Sequence, residues 1–243
     1  MASTSRPLNL RARRVRGAAL ALAWAAAAAC DLPRDPSGTL ERVGGGAMRV
    51  GFVVDTPWVT DSSGEAGGVE GALVRELARD VGATVQWVPG TEAALLESLH
   101  ARELDLVVGG LTADSPWSAK VATTKPYYTD TVLVAGAPGA AAPATLEDLQ
   151  VAVHRGDPVA AAVREKGGTP VPVTDLAAAR GAVAAPTWRL ALLGRVGNPE
   201  LELAQRRHIL AAAPGENAWL VRIERVLRAR RDRVPALLRS ARP

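Results

Sequence analysis

From Met48 onward the chain alternates short apolar runs with segments whose apolar residues recur every three or four positions. The run "MRVGFVVD" is valine-rich and short, as a buried strand is. In "VEGALVRELARDVGA" the residues Val69, Leu73, Leu77 and Val81 line one face of a helix, and Gly82 ends it. A strand "TVQWVP", an amphipathic helix "EAALLESLHAREL" and a strand "DLVVGG" follow. This β-α-β-α-β order predicts a parallel sheet covered by helices.

After Tyr128, "TVLVAG" predicts a strand and "APGAAAPAT" a break. The alternation then resumes with strand "LQVAVHRG", helix "DPVAAAVREKGG", strand "TPVPV", short helix "DLAAARG", strand "AVAAP" and helix "TWRLALLG". A last strand "HILAAA", a loop "PGEN" and a helix from Ala218, with Asn217 as its cap, complete the pattern. Two tandem β-α series joined by a linker define an α/β protein of two lobes. The predicted divisions are lobe 1 over residues 47–132, lobe 2 over 133–205, and a return segment with C-terminal helices over 206–243, packed on lobe 1.

The residues before Met48 break this pattern. A basic "RPLNLRARRVR" precedes the apolar "GAALALAWAAAAA", which is shorter than the roughly 20 residues of a spanning helix. Such a segment reads as an export signal over residues 1–29. The chain's single cysteine, Cys30, follows it directly and has no partner for an internal disulfide. From Asp31 to Gly46, "DLPRDPSGTLERVGGG" has no apolar period and reads as a flexible tether over residues 30–46.

Charge changes the picture once the signal is set aside. The formal net charge is +4, but the first 29 residues carry five arginines and no acid, so the remainder sums to −1. That removes the argument for nucleic-acid binding. The basic character is concentrated at the C-terminus, where Arg222 to Arg242 contains eight arginines against Glu224 and Asp232.

Candidate chemistry lies at the carboxyl ends of the strands, where open α/β sheets bind ligands. These ends are "DTPW", "GGLTADSPW" and "HRGDP". Gly109 and Gly110 permit close backbone approach, and Gly156-Asp157-Pro158 opens a helix whose N–H groups could hold an anion. The three histidines have no metal-ligand spacing, and P-loop and G-x-S-x-G motifs are absent. No cofactor or metal is expected.

The segments "MRVGFVVDTPWV", "GGVEGALVRELARDVGATVQWVPG", "LLESLHARELDLVVGGLTADSPW" and "TKPYY", in this order and spacing, resemble the solute-binding proteins of ABC transporters, in the family that includes polar amino-acid receptors. Lobe 2 follows the pattern more loosely, through "VAVHRGD". The resemblance implies a two-lobed periplasmic binding protein-like fold with two crossovers, a ligand in the cleft, and closure read by an ABC permease, with hinges near Tyr128–Pro138 and Gln205–Leu210. "AAAC" likewise resembles the lipobox of bacterial lipoproteins, with Ala27 where a Leu usually stands. That implies acylation at Cys30 and a monomeric, membrane-anchored protein outside the cytoplasm.

In amino-acid receptors of this family an Arg one turn after the Gly-x-Thr loop takes the ligand carboxylate, and an Asp of lobe 2 takes the ammonium. A count without gaps from Gly110 to Pro126 puts Trp117 at the first of those positions, and a looser count puts Pro186 at the second. The resemblance therefore implies a site of Trp58, Gly110, Thr112 and Trp117 facing Arg155, Gly156 and Asp157, with a small molecule other than an ordinary amino acid as ligand. Indoles can stack a planar ligand or enclose an organic cation, and Arg155 or the helix start at Asp157 could hold an anionic group. Trp58 and Trp117 also fit as packing residues, as do Trp87, Trp188 and Trp219. Two other functions share the fold: a periplasmic dehydratase-like enzyme, which the thin supply of acid–base residues disfavours, and a sensor that reports ligand to a membrane partner.

Overall fold

The computed structural model describes residues 34–240. The export-signal reading and Cys30 lie outside them. Two five-stranded sheets form the body, each mixing parallel and antiparallel strands, and β2 (Asp61–Ser62) and β3 (Glu65–Ala66) make a separate antiparallel pair.

The first sheet has the order β4-β1-β5-β12-β6. Strand β1 (Ala47–Phe52) pairs in parallel with β4 (Thr84–Pro89) and with β5 (Leu106–Val108). The short β12 (Ala211–Ala212) runs antiparallel to β5 and to β6 (Ala122–Thr123). Met48, Val50 and Phe52 alternate onto one face, with Leu106 and Val108 beside them. On that face lie helix α2 (Gly68–Val81), carrying Val69, Leu73, Val74 and Leu77, and the C-terminal helices. Helix α3 (Glu92–His100) covers the other face with Leu95, Leu96 and Leu99. Gly51 leaves room for that packing, because a Cβ there would meet Leu95 Cδ2 of α3 at 3.0 Å and Leu104 Cδ1, just beyond the helix, at 2.7 Å.

The second sheet has the order β11-β7-β10-β8-β9. Strands β8 (Gln150–His154), β9 (Thr169–Val173) and β10 (Ala182–Pro186) are parallel. Strand β7 (Tyr128–Ala135) is antiparallel to β10 and to the long β11 (Gly197–His208). Strand β7 faces both ways, with Val132 and Val134 toward helix α4 (Val159–Glu165) and Leu133 and Ala135 toward α5 (Thr187–Leu192). Its last four residues, buried on both sides, read as a continuous apolar run.

Two crossovers join the sheets, Thr124–Tyr127 outward and Ile209–Leu210 back. They lie side by side: Thr124 N donates to Leu210 O at 2.9 Å, Leu210 N to Thr124 Oγ1 at 3.0 Å, and Tyr127 N to His208 O at 3.0 Å. The first crossing thus precedes Tyr128, where the hinge expectation began.

Three local expectations give way. From Asp35 the segment read as a flexible tether is packed, and helix α1 (Thr39–Val43) buries Thr39 and Val43. Asp35 Oδ1 accepts from Ala218 N at 2.7 Å and Trp219 N at 3.0 Å, so it caps helix α6 (Asn217–Arg230) in place of the expected Asn217. Glu216, fully buried, accepts from the Ser37 and Thr39 amides. The expected helix "DLAAARG" is a turn. Asp175 Oδ1 takes the Ala177 amide, and the buried Arg195 guanidinium donates to the carbonyls of Ala179, Gly181 and Gly136, holding this stretch away from helical geometry. Strand β11 is an element the patterning did not predict, although "ELELA" alternates with period two.

The C-terminal helix α6 and α7 (Val234–Ser240) dock on the first sheet through Trp219, Ile223, Val226, Leu227, Val234 and Leu238. Trp219 is fully buried and its Nε1 donates to Asp105 O at 2.8 Å. Several arginines of this segment meet acids of α2: Arg230 and Arg233 pair with Glu76, and Arg222 with Asp80 at 2.7 Å. No helix among the described residues is long and apolar enough to cross a membrane.

Candidate functional site

A cavity of about 680 Å³ opens between the two sheets at the carboxyl ends of β1, β5, β8 and β10. Its wall on the first lobe is the loop from Asp55 to Trp58 together with Gly110 and Thr112. The floor comes from the crossing strands, through Asp130, Arg206 and His208. The second lobe supplies Asp157 and α4 on one side, Pro186, Trp188 and Arg189 on the other.

The first wall is fixed by one buried acid. Glu70, 0% exposed on α2, accepts from Gly109 N at 2.7 Å, Gly110 N at 3.1 Å and Tyr127 Oη at 2.6 Å. The glycine amides are therefore committed to the protein itself. Burial raises the Glu70 carboxyl above its ordinary pKa, and the bonds from Tyr127 and the glycine amides only partly oppose it. Gly110 adopts φ 67, and a Cβ there would lie 2.1 Å from Asp55 Oδ2, so any side chain would displace the Asp55 carboxylate.

His208 is brought under the Gly-x-Thr loop by pairing. Thr112 and His208 form an antiparallel bridge, flanked by Ala113 N to Arg207 O at 2.9 Å and Ile209 N to Leu111 O at 3.0 Å. The imidazole lies 3.7 Å, centroid to centroid, from the Trp58 ring at an interplanar angle of 30°. Tyr127 and Tyr128 pack on Trp58 at 6.3 and 5.8 Å. His208 Nε2 is 3.5 Å from Asp130 Oδ1, yet neither ring nitrogen nor that oxygen makes a hydrogen bond. The other Asp130 oxygen accepts from Trp188 Nε1 at 3.3 Å.

Burial raises the Asp55 pKa, opposed by His208 and Arg206. Arg206 itself is held by Asp157, Nη2 to Oδ1 at 2.6 Å. The same Asp157 oxygen accepts from Val159 N at 2.9 Å, so the start of α4, expected to be open to an anion, is closed by its own side chain.

Of the residues singled out by sequence, Trp58, Gly110, Thr112 and Asp157 line the cavity, while Trp117, Arg155 and Gly156 do not. Trp117 sits on a 3₁₀ turn (Pro116–Ala119) and packs against the cluster of Leu96, Leu111 and Ile209, with Lys120 Nζ 4.7 Å from its ring centroid. Trp188, read as packing, both packs on the first lobe's core and lines the cavity. Asp55, Asp130, Arg206 and His208 were not singled out. Asp55 stood only within "DTPW" after β1, and the signal of the other three lay in position alone, on the strands that cross between lobes.

The chain belongs to the bacterial extracellular solute-binding proteins, family 3, whose model matches residues 48–232. No curated protein matches the sequence. Among solved structures, an ancestral cationic amino-acid solute-binding protein superposes with a TM-score of 0.68 at 21% identity, covering 84% of this chain and 98% of its own. A second structure of that protein is described as a precursor of cyclohexadienyl dehydratase. The L-cystine solute receptor of Neisseria gonorrhoeae, in its unliganded open conformation, gives 0.63 at 16% identity, covering 79% and 91%. A putative ABC-transporter binding component from Wolinella succinogenes, complexed with lysine, gives 0.58 at 17% identity, covering 79% and 93%. At these identities the likeness is one of fold.

Proposed function

We propose that this solute-binding protein captures a small molecule in the cavity between its sheets and presents it to an ABC importer, anchored to the membrane by lipid at Cys30. The observation that carries the reading is the cavity itself. It is walled by both lobes and floored by the strands that join them, so a ligand filling it favours one arrangement of the lobes over another. The family works with small ligands and permeases, and one neighbour is described as an ABC-transporter component, which supports the importer role. The ligand is not an ordinary α-amino acid in this reading. Trp117, at the position of the family's carboxylate-binding Arg, packs away from the cavity, and Pro186 stands where the ammonium partner would be.

The test is direct. Small molecules released by denaturing the purified protein are identified by mass spectrometry and titrated back by calorimetry. A released compound should bind, and Ala162→Trp, which projects an indole from the α4 wall, should weaken it at least tenfold. A protein that releases nothing and takes up nothing would refute the binding function.

A second reading, an enzyme of the dehydratase kind, is favoured by the buried His208–Asp130 pair and by the description of the ancestral neighbour as a dehydratase precursor. Most neighbours are described as binding proteins, which favours capture without turnover. Recovery of the released compound unchanged after prolonged incubation with excess protein separates the two.

A further inference from the structure

The charges lining the cavity do not cancel among themselves. Asp157 is matched by Arg206, and Asp114 turns to Arg207 at 2.8 Å. No lysine or arginine pairs with Asp55 or Asp130 among the described residues, and Asp130 is 1% exposed. Its Oδ1 lacks a hydrogen bond, and its nearest neighbour of opposite character is an imidazole, 2% exposed, whose two nitrogens are themselves unpartnered. A buried carboxylate is stable only when paired and hydrogen-bonded, so one left with a long indole bond, a histidine that makes no hydrogen bond to it and no Lys or Arg partner is incompletely compensated.

The rest of the lining fits the same counter-charge. Trp188 brings an indole to the wall beside Asp130, and Trp58, one face stacked on His208, brings a second; open indole faces attract cations. Desolvation also raises the Asp55 carboxyl, and His208 and Arg206 only partly oppose it. Arg206 is committed to Asp157, and the single remaining guanidinium, Arg189, is outnumbered by Asp55, Asp130 and Glu165. Among the described residues no three His, Cys, Asp or Glu converge as a metal site, so an ammonium or guanidinium group suits the place better than a metal ion.

Resting on the binding function proposed above, we infer that the cavity takes a small organic cation, an ammonium or guanidinium compound, compensated by Asp130 and Asp55 and recognised without a carboxylate anchor.

Agmatine and arginine share a guanidinium and differ in the carboxylate, so together they test both halves of the inference. Calorimetry on the purified full chain with agmatine, choline, arginine, leucine and glutamate should find a cation tightest, with agmatine binding at least as well as arginine within threefold. Asp130→Asn and Asp55→Asn should each weaken that cation at least tenfold. Asp55 lies at the exposed cavity mouth, so its variant keeps the test valid should Asp130→Asn fail to fold. Arginine binding tenfold tighter than agmatine would assign a carboxylate to Arg189 and overturn the inference while leaving the binding function in place. Leucine or glutamate as the tightest probe would do the same, as would cation binding unaffected by both variants. Absence of binding by every probe also overturns it, and the release experiment then decides the binding function separately.

Discussion

Glu70 offers the sharpest contrast between two substitutions at one site. Its carboxylate ties the Gly109–Gly110 loop to α2 and to Tyr127, and one oxygen, Oε2, serves both glycine amides while Oε1 serves the phenol. Glu70→Gln can retain all three contacts: the amide oxygen accepts from the glycines, and the amide NH₂ donates to a reoriented Tyr127 hydroxyl. It also removes a buried charge. Glu70→Ala leaves three polar groups without a partner, at about 1–3 kcal/mol each. We expect Glu70→Ala to lose about 3–6 kcal/mol, much of the roughly 5–15 kcal/mol typical of a domain, and Glu70→Gln to lose less than about 1.5 kcal/mol at pH 7. Urea unfolding at constant m-value reads both. The pH dependence sharpens the test. Because burial raises the folded pKa of Glu70 above its unfolded value, the folded protein holds the proton to higher pH. Its contribution to stability is then full below the unfolded pKa, about 4.3, and is lost as pH rises through the folded value. The stability of Glu70→Gln relative to wild type should accordingly improve from pH 4 to pH 7. Equal damage from Gln and Ala, or a wild-type advantage that grows with pH, would refute this account of the loop.

Asp105 titrates in the opposite sense: burial raises it, but hydrogen bonds from Arg49, Arg42 and the Arg49 amide outweigh that and lower its pKa. Its stabilisation is present above the unfolded pKa and lost as pH falls through the folded one, so Asp105→Asn should cost about 1–3 kcal/mol at pH 7 and progressively less in acid; a gap independent of pH would contradict the pairing. Ile223, fully buried on the inner face of α6, should cost at least about 3 kcal/mol as Ile223→Asp, and the Cys30→Ser protein should ignore anionic vesicles. Salt-sensitive vesicle binding lost in a variant carrying Arg228→Gln and Arg231→Gln would instead make the basic helix a lipid contact. Cys30→Ser should also move the protein from the membrane to the soluble fraction, and full retention on membranes would end the lipoprotein reading.

The alternation of apolar runs carried most of the fold, because strands such as β1 and β10 are buried on both faces and helices such as α2 on one. It failed where the information is not local. The Pro- and Gly-rich stretch before Met48 is locally flexible, but Asp35 and Glu216, 181 residues apart, fasten it to the start of α6. Strand β11 is polar along its exposed side and bulged between Asn198 and Ala204, so its period-two signal is broken where it would have been strongest.

The cavity shows the same division. Sequence placed the loops at the strand ends, and four of seven named residues line the cavity, but a position in a loop does not fix which way its side chain turns. Trp117 follows Ser115-Pro116 into a tight turn that delivers its ring to Leu111 and Ile209. The uncompensated charge comes from a different source, the paired crossing strands. Asp130 lies opposite Arg206 and Tyr128 opposite His208 in the β7–β11 register, while Trp188 reaches Asp130 from α5. No spacing within a single segment encodes that meeting, since the groups lie 58 and 78 residues from Asp130. Each taken alone looks like an ordinary strand or helix residue. Only pairing the strands turns a buried Asp, a buried His and an indole into one incompletely satisfied polar cluster, and it puts that cluster where the two lobes join.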